Sequence, residues 1–434
     1  MTAALPSDPL PKDPMPGCAL PGTPLAAALP GINACVHCGF CLQACPTYLN
    51  LEDENDSPRG RIFLMRSLLE GTVTPDDPSV HRHIDQCLGC RACEPVCPSG
   101  VPYGQLLEAT RATLNESRPI PVVARLILFV FARRWLLVPA MFFSRILAAT
   151  PIPTLLSGIR GRLGFAMAML ASTGRSIERS PYKPVTAGER GRVATLEGCV
   201  MEGLFGETNR ATERVLVVNG YALAPAPGQQ CCGALHAHAG DLHNARKLAR
   251  RNIAAFEKSG ADFIAVNAAG CGATMKEYGH LLQDDPEWNT RAAELGARVR
   301  DVSELLAAAG PVTGGALPIR VTYDAPCHLQ HAQRITQAPL SVLAAIPGLE
   351  LVPLHDSDQC CGSAGIYNLI EPDTSDAVLE PKLANIHATG APFVATGNPG
   401  CLMQIGAGLI RDNVRTRSIH PVDLLDASYA ARGQ

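Results

Sequence analysis

"QQCCGALHAHAG" at residues 229–240 and "DQCCGSAGIYNL" at 358–369 carry the same phrase, a cysteine pair closed by glycine, 129 positions apart. The interval extends to their surroundings. Cys199 is answered by Cys327 and Cys271 by Cys401, at intervals of 128 and 130 residues. "NAAGCGAT" at 267–274 matches "GNPGCLMQ" at 397–404 in the same way. The C-terminal part of the chain is therefore an internal duplication. One copy carries Cys199, Cys231, Cys232 and Cys271, the other Cys327, Cys360, Cys361 and Cys401. Each copy alternates short apolar runs with helical patterns. "RVATLEGC" and "ADFIAVNAAGC" flank the amphipathic "DLHNARKLARRNIAAFEKSG" in the first, and "IRVTYDAPC" and "APFVATGNPGC" read as strands in the second. Such alternation predicts α/β layers with parallel strands, whose sites gather beyond the carboxyl ends. Cys199, Cys271, Cys327 and Cys401 fall at those ends, just before helices whose N-termini stabilise thiolate. Gly233 and Gly362 would supply the turn that aims two adjacent thiols at one site.

Toward the N-terminus, "CVHCGFCLQACPTY" (35–48) and "CLGCRACEPVCPSG" (87–100) repeat a second spacing. Three cysteines come at intervals of three, and a fourth comes four later, followed by proline. Disulfide staples suit small secreted domains, whereas this chain has 434 residues, is 47% hydrophobic and opens without a secretory leader. Structural zinc takes ligands two and two. The spacing is that of two-cluster bacterial ferredoxins, in which the fourth cysteine of each run ligates the other cluster. Cys35, Cys38, Cys41 and Cys97 are thus expected on one [4Fe–4S] cluster, and Cys87, Cys90, Cys93 and Cys45 on a second. Pro46 and Pro98 are expected to stop the short helix before them. Between the motifs, "SPRGRIFLMRSLLEG" (57–71) predicts a helix with an apolar stripe through Ile62, Leu64, Met65, Leu68 and Leu69. Arg59 and Arg61 on it would raise a reduction potential if they lie near the clusters.

The expected organisation is a disordered Pro-rich tail (1–30) holding a lone Cys18, a two-cluster domain (31–116), a basic apolar helical segment (117–185), and the two repeats (186–312 and 313–434). The fold class is α+β/α/β, a helical ferredoxin-type domain followed by two duplicated α/β Cys-Cys-Gly domains. Within residues 117–177 there are eight arginines and no Asp, Glu or Lys, although the whole chain has a net charge of −3. "VVARLILFVFARRWLLVPAMFFSRIL" (122–147) is too interrupted by charge for a spanning helix. Its composition suits an anionic membrane interface, or a partner protein.

These motifs together resemble the iron–sulfur subunits of membrane-associated dehydrogenases, a group that includes glycolate oxidase, lactate-utilisation and anaerobic glycerol-3-phosphate dehydrogenase subunits and the B subunit of heterodisulfide reductase. "DAPCHLQHAQR", "CCGSAGIYNL" and "GNPGCLMQI" look most like the glycolate oxidase subunit. The full motif of the group ends in C-x-x-C, whereas Thr274 and Gln404 stand here at the fifth cysteine positions. The repeats therefore offer four thiols each, enough for a further [4Fe–4S] cluster or a zinc ion, with His236, His238 and His328 as candidate neighbouring ligands or proton carriers. No G-x-G-x-x-G opens a helix after a strand, and no flavin site is evident. The resemblance implies a subunit of a flavin-dependent glycolate dehydrogenase that does not itself oxidise substrate. It would relay electrons from flavoprotein subunits to a membrane quinone, at the inner face of the cytoplasmic membrane. Lactate, glycerol 3-phosphate or heterodisulfide chemistry is the alternative, and no nucleic-acid partner is expected.

Overall fold

The computed structural model describes residues 17–432 apart from 119, 175, 176, 178 and 187, so residues 1–16 of the expected tail, and Arg175 of the basic window, lie outside the described residues. The chain forms two compact units. The first runs to Ile120 and takes in His238–Asp241; the second holds Pro121–Ala237 and Leu242 onward.

The first unit is built from helices. Pro58–Glu70 begins at Ser57, whose hydroxyl accepts from the Gly60 amide, and ends at Gly71 in the left-handed conformation. Its buried side, Ile62, Met65, Leu68 and Leu69, packs with Val80, Ile84, Leu106, Leu107 and Leu114 from helices Pro78–Asp85 and Tyr103–Ser117. The structure corrects the extent of the tail. Residues Pro24–Ala27 and Leu29–Asn33 are short helices, and Leu25, Leu29 and Ile32 are buried in the same core. Prolines at their first turns start these helices rather than prevent them, and burying each Leu is worth about 1.5–3 kcal/mol. Cys18 packs on the edge of this core. Pro46 is a second correction. It opens the helix Pro46–Leu51, with Cys45 as the residue before it, instead of stopping one.

The second unit contains two four-stranded parallel sheets of the same topology. In the first, β1 (Arg192–Thr195), β2 (Ala222–Leu223), β3 (Phe263–Val266) and β4 (Val299–Asp301) lie in the order β2-β1-β3-β4. In the second, β5 (Arg320–Tyr323), β6 (Glu350–Val352), β7 (Phe393–Ala395) and β8 (Arg417–Ile419) lie in the order β6-β5-β7-β8. The order reverses between β1 and β3, and again between β5 and β7. An open parallel sheet forms its crevice at such points. Register follows the duplication as well, since Val193 pairs with Phe263 and Val321 with Phe393.

The copies share a core in which Val215 and Leu216 meet Val321, Leu425 and Tyr429. Asp426, 1% exposed at its side chain, is held by Arg214 through two bonds of 2.9 and 2.8 Å, by Arg179 at 2.7 Å and by the Tyr182 hydroxyl at 2.6 Å. The basic segment forms helices Val122–Phe131, Arg134–Ala148, Ile152–Leu156 and Arg162–Ala171. Ala124 and Leu128 of the first, and Phe165 and Ala168 of the last, are buried.

Candidate metal centres

In the first unit one cavity is lined by Cys35, Cys38, Cys41 and Cys97, with Cys93 of the other expected set, Arg59, Phe40 and Tyr103 also on its wall. The fourth cysteine of the second run therefore lies with the first three of the first run. The loop that carries them turns through positive φ at His37 and Gly39. The guanidinium of Arg59 reaches the His37 carbonyl at 3.3 Å while paired to Glu54. Burial pushes the Cys41 thiol up to about 11.

Cys45, expected with Cys87, Cys90 and Cys93, also acts electrostatically on Cys41 of the first set. It is buried, its sulfur is 3.3 Å from the Thr47 hydroxyl, and it acts electrostatically on Cys93 and, together with Cys87, on Arg61. Cys87, Cys90 and Cys93 are buried. The Cys87 sulfur accepts from the Tyr103 hydroxyl at 3.6 Å and from the Gly89 amide at 3.4 Å. Burial drives the Cys93 thiol well above its usual range, so ligation here depends on a cation to hold the thiolate.

Beside this second set is a buried charge network with no signal in the sequence. Arg61 is fully buried. It donates to the His83 carbonyl at 2.6 Å and the Thr47 hydroxyl at 3.0 Å, and pairs with the Asp56 carboxylate at 3.1 Å. Nδ1 of His83 approaches the same carboxylate at 3.0 Å. Burial disfavours the guanidinium charge, but Cys87, Tyr103, Cys45 and Asp56 more than offset this and raise its pKa. Arg59 thus belongs to the first set and Arg61 to the second.

In the repeats, each quartet closes into one nest. The first is a chain of thiol contacts from Cys199 to Cys231, Cys231 to Cys232 and Cys232 to Cys271. The second runs from Cys327 to Cys360, Cys361 and Cys401. The donors come from the segments following β1, β2 and β3, or β5, β6 and β7, at the reversal of strand order. Cys199 precedes the helix Val200–Leu204, and Cys327 precedes the turn His328–Ala332. Cys271 and Cys401 differ from expectation, because each sits inside the first turn of its helix, Ala269–Lys276 or Pro399–Arg411.

Hydrogen bonds from Cys199 and Cys232 hold the Cys231 thiol well below its usual range. Cys327 and Cys361 do the same for Cys360, which also accepts from the Gly362 amide at 3.4 Å. Their neighbours Cys199, Cys232 and Cys361 are pushed up in exchange. Gly362 has φ +85°, and a Cβ there would stand 2.5 Å from the Ser375 carbonyl oxygen. The paired thiols need this turn, so glycine is required by both φ and space.

The two nests are neighbours. The amide of Ala269 donates to the Gly397 carbonyl at 3.1 Å, that of Gly270 to Asn398 Oδ1 at 3.3 Å, and Asn398 Nδ2 is 3.5 Å from the Cys401 sulfur. They are not identical. Lys382 is buried beside the second, paired to Asp324 at 3.0 Å and donating to the Asp356 carbonyl. Asn252 occupies the corresponding position in the first and donates to the Cys231 carbonyl at 3.0 Å. At the fifth cysteine positions, Thr274 donates to the Gly270 carbonyl and Gln404 to Ser375.

The histidines separate into three cases. His236 is fully buried and acts on Cys231, His328 acts on Cys360, and His238 pairs with Glu108 within the first unit. Four thiols linked in a chain of contacts, with the Gly362 amide aimed at the second chain, fit an iron–sulfur cluster as a donor set.

Comparisons with known proteins agree with this geometry. The 4Fe-4S dicluster domain family matches residues 31–101, and the cysteine-rich domain family matches 193–276 and 321–406. A protein of Bacillus subtilis (strain 168) described as a probable glycolate oxidase iron-sulfur subunit is 38% identical over 411 residues, 90% of this chain and 92% of that one. The glycolate oxidase iron-sulfur subunit of Escherichia coli (strain K12) is 36% identical over 376 residues, 85% of this chain and 88% of its own. Lactate utilization protein A of Shouchella clausii (strain KSM-K16) is 31% identical over 231 residues, 96% of its length but 53% of this chain.

Proposed function

The chain belongs to the family of glycolate oxidase iron–sulfur subunits, and from that premise we propose that it relays single electrons from a flavoprotein subunit of the complex to a quinone in the membrane. Its resident cofactors are two [4Fe–4S] clusters in the first unit, and iron–sulfur clusters are the cofactors that the repeat nests fit. Removing a hydride from a 2-hydroxy acid is a two-electron event suited to flavin, whereas iron–sulfur clusters pass electrons singly. The observation that carries the relay is the exposure of the first set. Cys38 is exposed, and Val36 and Phe40 beside it are each 67% exposed, so a donor cofactor can approach that edge. Glycolate is favoured over lactate because the lactate-utilisation relative matches only about half of this chain. The test is reduction by substrate. Glycolate added to the purified chain should leave the clusters oxidised, and adding the flavoprotein subunits should reduce them. Turnover of glycolate by the chain with no flavin present would contradict the relay.

The acceptor side of the proposal rests on the basic segment. Val122, Leu126, Trp135, Phe143, Leu155 and Leu163 are each more than half exposed, and exposed large apolar side chains gathered on one segment suit an interaction surface. Arg125, Arg134, Arg145, Arg160 and Arg162 on the same segment are exposed, and Arg133 stacks on Phe129 at 3.6 Å. Among the described residues no single helix is long and apolar enough to cross a membrane; Val122–Phe131 and Arg134–Ala148 together are, but bend by 104°. We therefore place this face on the anionic inner surface of the cytoplasmic membrane, apolar side chains inserted and arginines at the headgroups. Each arginine near the surface contributes about 1 kcal/mol. Replacing Arg125, Arg133, Arg134 and Arg145 by Gln should weaken binding to phosphatidylglycerol-containing vesicles by about a thousandfold, and wild-type binding should fall as salt rises. If the face instead covers the flavoprotein, the isolated chain will not bind vesicles and the variant will lose that partner.

A further inference from the structure

His236 offers the first nest a donor that the cysteine count does not include. Its ring is fully buried in the short helix Ala234–His238, directly after the Cys231–Cys232–Gly233 turn and within electrostatic range of Cys231. Nε2 lies 3.0 Å from the carbonyl oxygen of Leu128, in helix Val122–Phe131. A carbonyl only accepts, so Nε2 carries the proton and Nδ1 presents a lone pair. That Nδ1 is buried without a hydrogen-bond partner. A buried acceptor left unsatisfied costs about 1–3 kcal/mol, so the position calls for an occupant. A metal-bound histidine has this arrangement, its second N–H given to a backbone carbonyl that fixes tautomer and ring orientation.

We infer that His236 Nδ1 is a metal ligand of the first Cys-Cys-Gly nest, which binds its iron–sulfur cluster through imidazole as well as through Cys199, Cys231, Cys232 and Cys271. The inference rests on the iron–sulfur reading of the nests given above. It explains how a repeat with Thr274 at the fifth cysteine position still provides five donors. It also makes the nests unequal. At the position 129 residues after His236 stands Gly365, in the left-handed conformation at φ +70°, so the second nest has no imidazole from this element. A neutral nitrogen ligand leaves a cluster less negative than a thiolate would, and histidine ligation raises the potential of iron–sulfur centres. The first nest keeps as many thiolates as the second and adds an imidazole to them. Its histidine is held by the carbonyl of the helix that bears the exposed apolar face.

Pulsed EPR on the full chain tests this, with the protein purified anaerobically, reconstituted with ferrous iron and sulfide, and then reduced. The expected spectrum contains a histidine nitrogen coupling that changes on 15N-histidine labelling, disappears in His236→Ala and persists in His328→Ala. His236→Cys, which restores a sulfur donor, should keep the iron of the nest and lose the nitrogen coupling, which separates loss of the ligand from loss of the fold. Absence of the coupling in the wild-type chain, its survival in His236→Ala, or a chain with no iron beyond the N-terminal pair would each overturn the assignment. The relay would survive any of these results, because it depends on the N-terminal pair; loss of iron from that pair would count against the relay instead.

Discussion

Replacing Cys45 by Ser should remove the cluster held by Cys87, Cys90 and Cys93 and spare the one held by the three cysteines that immediately precede it in sequence. The loss should be roughly four of the eight irons of the pair. The buried Cys45 sulfur, bonded to the Thr47 hydroxyl, acts on Cys93. Cys97 lines the cavity with Cys35, Cys38 and Cys41. Double variants decide between the two assignments, because changes within one site do not add whereas changes in separate sites do. Cys45→Ser combined with Cys87→Ser should lose no more iron than either alone. Cys45→Ser combined with Cys35→Ser should lose both clusters. The reverse pattern would mean that each run of four closes on its own cluster.

Arg61→Ala should destabilise the first unit by about 3–5 kcal/mol, because it leaves the buried Asp56 carboxylate without its guanidinium partner. Against a typical total stability of about 5–15 kcal/mol this is a large fraction. The substitution also strips a donor from the Thr47 hydroxyl, which contacts Cys45, so destabilisation and loss of the second cluster should appear together. Chemical denaturation of the anaerobic protein, with iron assayed in parallel, reads both. Arg61→Met combined with Asp56→Leu removes the pair together and should cost less than Arg61→Ala alone. A single variant as stable as the wild type would show that the buried pair carries little weight.

The sequence showed most where chemistry imposes spacing. The eight N-terminal cysteines and the duplicated quartets could be assigned to sites because a cluster fixes the interval between its ligands. The parallel sheets followed from apolar runs that end on cysteine. Features that depend on tertiary neighbours were not legible. Arg61 in "SPRGRIFLMRSLLEG" looks like a solvated helix residue until the packing of helix Pro78–Asp85 brings the His83 carbonyl to it and the His83 ring to its partner Asp56. His236 looks like one of several surface histidines until helix Val122–Phe131 covers it. The segment from Pro24 to Asn33 resembled a tail because its prolines suggested disorder, yet they stand at helix starts and the leucines between them fill a core. Pro46 misled in the same direction, a helix start taken for a stop.

Iron and acid-labile sulfide per chain, measured on anaerobically purified protein alongside zinc, test the central claim most directly. The account predicts at least about eight of each for the N-terminal pair, with any further iron belonging to the repeat nests. A chain with iron near zero and stoichiometric zinc would contradict it.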